Sequence, residues 1–430
     1  MIFTAAALVS ERYGADLNGI KNRGYEVFRN VIRDTIQKSL EDNKKQNMKL
    51  DILMEVYIDI KMNIVENKEA INDFIDCVIE ISDSVNSDNW NGEDVMGIFF
   101  NEFNRYKKKS ESGQVFTPDH ITSLMYKILE VNANDKILDA ACGSGAFLVK
   151  SMSNMIKEVG GINTKEAKKI KEHSLFGIEF DREIFALACA NMMIHKDGKT
   201  NLEQLDSRDK EASEWIKSKG ITKVLMNPPF ERKYGCKKIV ENVLNSVPSG
   251  IKCAFIMPEK KMEKDKMGKL LEKHHLEAII KLPEKLFDAG VTTSIYVFET
   301  GKKQVGEIYG CYIEDDGLER VKNQGRQDIK DKWMELENYW VDSIRKRNDT
   351  KYGTSQWIDP KKFLSYQKPK AEFVLYEEDF VKTMMNYLMF KNKIDVKEFS
   401  DKLINKTLYN SEILKEDNNI VIKIKDAEDE

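Results

Sequence analysis

The stretch Lys136-Ile137-Leu138-Asp139-Ala140-Ala141-Cys142-Gly143-Ser144-Gly145-Ala146-Phe147 decides the fold of this chain. A short apolar run ends in a carboxylate, passes through a turn bearing two glycines, and leaves through helix-prone residues from Ala146 to about Val159. This is the strand–loop–helix unit of nucleotide-binding α/β folds, where glycines let the backbone approach a ligand at a helix N-terminus. The GxGxxG spacing of dinucleotide sites is missing, and an acid stands before the glycines, which disfavours a nicotinamide dehydrogenase. A carboxylate in that place suits a cationic ligand better than a pyrophosphate.

Downstream, the pattern repeats. Leu175-Phe176-Gly177-Ile178-Glu179 is a strand ending in an acid, where a ribose diol would be gripped. Leu202-Glu203-Gln204-Leu205 is followed by Asp206, and Val224-Leu225-Met226 by Asn227-Pro228-Pro229-Phe230. Each acid alone reads equally as a helix cap or solvated turn; the ordered series is what carries meaning. Further strands are expected at 253–257, 276–282 and 294–298, so strands and helices alternate from Lys136 to Thr300 as in a doubly wound parallel sheet. The tetrapeptide has its own chemistry. Two prolines fix φ and remove two backbone donors, leaving carbonyls that only accept. An Asn side-chain oxygen and the Pro228 carbonyl can converge on one planar amino group while Phe230 stacks on the ring bearing it. An ordinary strand-to-loop turn is the plain alternative.

Upstream lies Phe116-Thr117-Pro118, with Thr117 and Pro118 suited to the N-cap and first position of a helix running to about Glu130. No proline precedes Pro118, and residues 50–60 and 71–79 have helical periodicity, which predicts an all-helical leader.

The ordered set Phe116-Thr117-Pro118, Asp139 to Gly145, Gly177-Ile178-Glu179-Phe180-Asp181, Asp206 and Asn227 to Phe230 resembles the S-adenosylmethionine-dependent adenine-N6 DNA methyltransferases. More narrowly, it resembles the modification subunits of type I restriction-modification systems, over about residues 95–300. Those subunits commonly carry Pro and Thr within the glycine loop, where this chain has Ala140-Ala141-Cys142 and Ser144. The resemblance implies a class I methyltransferase (Rossmann-like) sheet of seven strands, the last antiparallel. It implies a site-specific DNA methyltransferase (adenine-N6-specific), with S-adenosyl-L-methionine as cofactor and a flipped-out adenine of double-stranded DNA as substrate. Asn227, Pro228, Pro229 and Phe230 would be catalytic. Asp139, Gly143, Ser144 and Gly145 would line the methionine end of the cofactor, Phe116, Thr117 and Pro118 would close over it, Glu179 would hold its ribose, and Phe180 and Asp206 would flank its adenine. The implied partners are a specificity subunit, a restriction subunit and a second modification subunit. Other readings are a stand-alone adenine-N6 or cytosine-N4 DNA methyltransferase, a protein-glutamine or RNA methyltransferase, and a catalytically silent assembly scaffold.

Composition agrees with a cytoplasmic enzyme. Of 430 residues one third are charged, and no apolar run approaches the ~20 residues that span a bilayer. The six cysteines form no CxxC pair and read as reduced thiols, so a metal site is not expected. The net charge of −4 decides nothing about DNA, because binding depends on local patches. Basic runs occur at Arg105 to Lys109, at Arg232 to Lys238 and at Lys260 to Lys269, the second directly after Phe230. Solvated lysine faces are the plain reading of many of these. The expected organisation is an N-terminal helical domain (1–110), a methyltransferase domain (111–301) and a mainly helical C-terminal region for assembly or DNA contact (302–430). His274-His275 is expected at a solvated helix end.

Overall fold

The strands read above form one sheet. They are β1 (Ile137–Asp139), β2 (Leu175–Glu179), β3 (Asn201–Gln204), β4 (Lys223–Met226), β5 (Lys252–Pro258), β6 (His275–Lys281) and β7 (Thr293–Glu299). The computed structural model describes the chain except residues 43–46, 59–66, 87–91, 93, 100–116, 196–200, 231–234, 263, 285, 288–290, 322–324, 370–375, 410, 417–418 and 425–430. Phe116, the basic residues 105–109 and 232–234, and the acidic tail therefore lie outside the described residues.

Across the sheet the seven strands run β3-β2-β1-β4-β5-β7-β6. The first five pair in parallel, and β7 lies antiparallel between β5 and β6. The chain winds outward from β1 in one direction and from β4 in the other, so a crevice opens beyond the C-terminal ends of these two neighbours. Asp139 ends β1, and Asn227 follows β4.

The sheet extends past the expected boundary at 301/302. The apolar run β8 (Ile308–Tyr312) adds parallel to β6. A small hairpin of β9 (Glu319–Val321) and β10 (Gly325–Gln327) follows, and β11 (Ser355–Ile358) closes the edge antiparallel to β8, making nine strands. The region after 301 is thus less helical than its charged composition suggests. Compact packing runs from Met1 to Gln367, and Lys368–Glu430 form a second unit. That unit holds the helices Glu377–Lys391 and Val396–Tyr409 and the hairpin of β12 (Ser411–Glu416) and β13 (Asn419–Ile424). The two histidines also depart from expectation: His275 opens β6, and His274 is buried with its Nδ1 accepting from the Gly301 amide.

Two apolar layers sandwich the sheet. One includes residues from helices Asp119–Ile128, Ala146–Glu158, Lys165–His173 and Trp333–Lys346. The other includes residues from Lys210–Lys217, Cys236–Ser246 and Lys264–Leu271. A third core belongs to the leader helices α1 (Ile2–Arg12), α2 (Tyr25–Asp42), α3 (Asn47–Ile58) and α4 (Lys68–Asn86). Helix Arg182–Ile194 is shared. Phe185, Ala188, Cys189 and Met192 enter the first sheet layer, while Ile184, Leu187, Ala190, Met193 and Ile194 enter the leader core. A helix clad on both sides must be apolar all round, and residues 184–194 are all buried. Each large side chain so covered contributes about 1.5–3 kcal/mol of gross burial. Gly177 in β2 is a packing feature of a different kind: a Cβ there would come within 2.4 Å of the Leu202 side chain and 2.9 Å of that of Leu148, so both leucines would have to move to admit one.

Candidate active site

The crevice beyond β1 and β4 is lined by residues from every motif of the series that falls in the described chain: Thr117, Asp139, Gly143, Ser144, Glu179, Phe180, Asp206, Asn227 and Pro229. Its floor is the glycine loop. Gly143 and Gly145 hold φ of +55° and +92°, a left-handed conformation that side chains disfavour. Gly145 serves as N-cap of helix Ala146–Glu158 from behind the crevice. A Cβ at Gly143 would meet nothing within 4 Å, so this backbone faces open space.

Two carboxylates meet beside this loop. Asp139 is 1% exposed, and its Oδ1 accepts from the Ala141 amide at 3.1 Å. Glu179 accepts from the Gly143 amide at 3.0 Å and from the Asp181 amide at 2.9 Å. Burial pushes the Asp139 carboxyl up to about 8, against the Ala141 hydrogen bond, and the negative charge of Glu179 adds to the rise. Glu179 is raised too, again chiefly by burial, against three backbone amides. Burial raises the Cys142 thiol, and the two neighbouring acids add to it. A pair of buried acids, both with raised pKa, is a receptor for a cation with hydrogen-bond donors.

Asp206 is handled differently. Its carboxylate accepts from the guanidinium of Arg208, with Nε at 2.8 Å from Oδ1 and 3.0 Å from Oδ2. That charged hydrogen bond holds it below the usual carboxylate range. Arg208 also lies 5.9 Å over the ring of Phe180, which is 57% exposed. Arg208 had a local signal, a base two residues after the acid, that the strand-end reading passed over.

At the other end of the crevice stands Asn227. Its Nδ2 donates to the Thr117 Oγ1 at 2.9 Å, while its Oδ1 is buried with no hydrogen-bond partner. A buried acceptor left unmet costs about 1–3 kcal/mol, and such an atom at a crevice marks where a donor belongs. Pro118 takes the N-cap position of helix Asp119–Ile128, one residue later than expected, with its carbonyl accepting from Ile121 and Thr122. Pro228 and Phe230 are buried and do not line the crevice. The Phe230 ring is 9% exposed and meets Phe287 edge-on at 5.4 Å. Phe287 was not singled out from sequence, because it sits past β6 with no local pattern around it. Among the described residues no cluster of His, Cys, Asp or Glu could hold a metal ion.

Comparison with known proteins agrees with this geometry. Residues 91–249 match the family model described as N-6 DNA Methylase. The chain is 30% identical over 340 residues to the type II restriction enzyme and methyltransferase RM.BcgI of Heyndrickxia coagulans, covering 73% of this chain and 51% of that protein. It is 22% identical over 215 residues to the type I restriction enzyme EcoEI methylase subunit of Escherichia coli, covering 44% of this chain and 43% of that one. The chain thus spans about half the length of these curated relatives. Among solved structures, one from a study of complex assembly and conformational transition of the type I R-M system superposes with a TM-score of 0.55 at 17% identity, covering 83% of this chain and 80% of that one. The type I restriction-modification methyltransferase subunit of Streptococcus thermophilus gives 0.52 at 15%, covering 78% and 77%. These two likenesses support the class I methyltransferase fold. The segment that matches the N-6 DNA Methylase model spans β1 to β4 and holds the crevice motifs from Thr117 to Asn227.

Proposed function

We propose that the protein is a site-specific DNA methyltransferase that transfers the methyl group of S-adenosylmethionine to the N6 amino group of adenine, as the modification subunit of a type I-like restriction-modification complex in the cytoplasm. The observation that carries this reading is the unmet Oδ1 of Asn227, held by Thr117 and sharing one crevice with two burial-raised acids. S-adenosylmethionine, when bound, supplies a methyl already activated on a sulfonium, beside a cationic amino group and a ribose diol. Asp139 and Glu179 have the charge and acceptor sites for that amino group and diol, and the open backbone at Gly143 leaves room for the ligand.

The N6 nitrogen of adenine is a poor nucleophile, because its lone pair is delocalised into the ring. Accepting one of its hydrogens with the Asn227 oxygen pulls it toward pyramidal geometry and stabilises the positive charge that develops there. No protein nucleophile is required, so the chain's remaining task is alignment of the two reactants. A stacked base cannot reach such a crevice, so the adenine must leave the duplex. In this reading the leader helices and the region after 301 serve assembly with a specificity subunit, a second modification subunit and DNA, and Lys237 and Lys238 are candidates for phosphate contact.

The test is methylation of DNA by the purified chain with labelled S-adenosylmethionine, with and without a specificity subunit, followed by mapping of the modified base. N6-methyladenine at a defined site supports the reading. Label on N4 of cytosine, on protein or on RNA overturns it. The relative that joins restriction enzyme and methyltransferase favours a second arrangement, in which this methylase works in a type II system. DNA cleavage by the same purified complex would distinguish it.

A further inference from the structure

A carboxylate from outside the motif series reaches the glycine loop. Asp94 lies 50 residues before Ser144, yet the Ser144 hydroxyl donates to its Oδ2. The Asn191 side-chain amide donates to its Oδ1 at 2.7 Å and to the Ser144 carbonyl at 2.9 Å. The Gly97 amide donates to the same Oδ1 at 2.8 Å. Ser144 and Asn191 are 1% and 0% exposed, so these bonds are shielded from water. The anchorage of Asp94 is equally specific. Val95 and Met96 are buried in the core of the leader helices. On the other side, Gly92 lies against the helix that leaves the loop, where a Cβ would fall 2.3 Å from the Ser153 Cβ. The segment packs against that helix, and its carboxylate ties helix Arg182–Ile194 to the loop.

We propose that Asp94 is a positioning residue, through which the N-terminal helical layer holds the glycine loop in the shape that receives the cofactor. The proposal rests on the reading of the crevice as an S-adenosylmethionine site. Asp94 itself does not line that crevice; it acts through Ser144, which does. The Ser144 side chain is buried, and its hydrogen bond to the carboxyl of a separately anchored segment is what selects its rotamer and holds the adjoining backbone. The N-terminal layer thereby becomes part of the cofactor site rather than only an assembly surface.

The experiment is calorimetric titration of S-adenosylmethionine into the full chain without DNA, for the wild type, D94N, S144A, S144T and the D94N/S144A double variant, with thermal unfolding run in parallel. Asp94→Asn keeps the shape and removes the charge, and Ser144→Ala breaks the same contact from the loop side should the first variant fold poorly. D94N and S144A are each expected to weaken binding about tenfold or more, the effect of losing one hydrogen bond to a charged group. The double variant is expected to be no weaker than the worse single, because both changes remove one contact. S144T, which keeps the hydroxyl, is expected to recover part of the affinity that S144A loses. Effects that multiply in the double variant, or a lower melting temperature with wild-type affinity, overturn the proposal. A wild type that binds no S-adenosylmethionine overturns the parent reading, and this one with it.

Discussion

Asp139 makes cofactor binding depend on pH near neutrality, where an ordinary surface carboxylate no longer titrates. In the free protein Asp139 is raised to about 8, first by burial and then by Glu179. Below that pH it carries a proton which a cationic ligand must expel. For one such group the apparent affinity falls by the factor 1 + 10^(pKa − pH). Lowering the pH from about 8.5 to about 6.5 therefore weakens S-adenosylmethionine about 25-fold, and near pH 7 close to one proton, ~0.9, leaves for each ligand bound. Titration calorimetry in buffers of differing ionisation heat reads both quantities. Asp139→Asn serves as control, binding weakly and with this pH dependence abolished. The linkage has a second face in stability. A carboxyl whose folded pKa lies above its unfolded value gives stability that is full below the unfolded value, near 3.8, and lost as pH rises through about 8. The free protein should thus lose melting temperature across that window, and D139N should lose less of it. An affinity that is flat or rises on acidification, with no proton released, would refute the picture of Asp139 as the buried counter-charge.

Other expectations concern single side chains. Asn227→Ala should reduce methyl transfer to background, at least about a hundredfold, while cofactor affinity stays within about threefold; loss of both together would mean that the residue is structural. Thr117→Val, which removes the acceptor that orients the Asn227 amide, should lower kcat about tenfold or more, with Thr117→Ser restoring most of it; equal behaviour of the two variants would dismiss this orienting role. Gly177→Ala should destabilise the fold by about 1–3 kcal/mol in chemical denaturation, since the new methyl presses on Leu202 and Leu148.

The strands and their acids were legible because a buried parallel strand is a short apolar run, and the crevice requires a polar residue where that run stops. β1, β2 and β4 end where Asp139, Glu179 and Asn227 announce them. β3 ends at Gln204 rather than Leu205, a shift of one residue that leaves Asp206 in the crevice all the same. β8 was illegible because Ile308–Tyr312 is a brief run amid charged sequence, and its strand state comes from pairing with β6. β11 depends in turn on β8. The role of Asp94 in the loop was not legible, for its partners there, Ser144 and Asn191, are 50 and 97 residues away and only the folded chain brings them together. Phe230 reads from the sequence as a stacking surface for the base, whereas its ring is buried edge-on against Phe287, a seat the sequence does not disclose.

The division of labour within the Asn227 amide has a consequence for fidelity. One hydrogen of its nitrogen is committed to Thr117, and its oxygen stands as a buried acceptor with no partner. A base offering an amine there completes the arrangement. One offering an oxo group, as guanine or hypoxanthine would, sets oxygen against oxygen in a dry place and leaves both without a proton to share. The tetrapeptide would thereby refuse a deaminated adenine as firmly as it accepts the intact one, before any reader of neighbouring sequence is consulted.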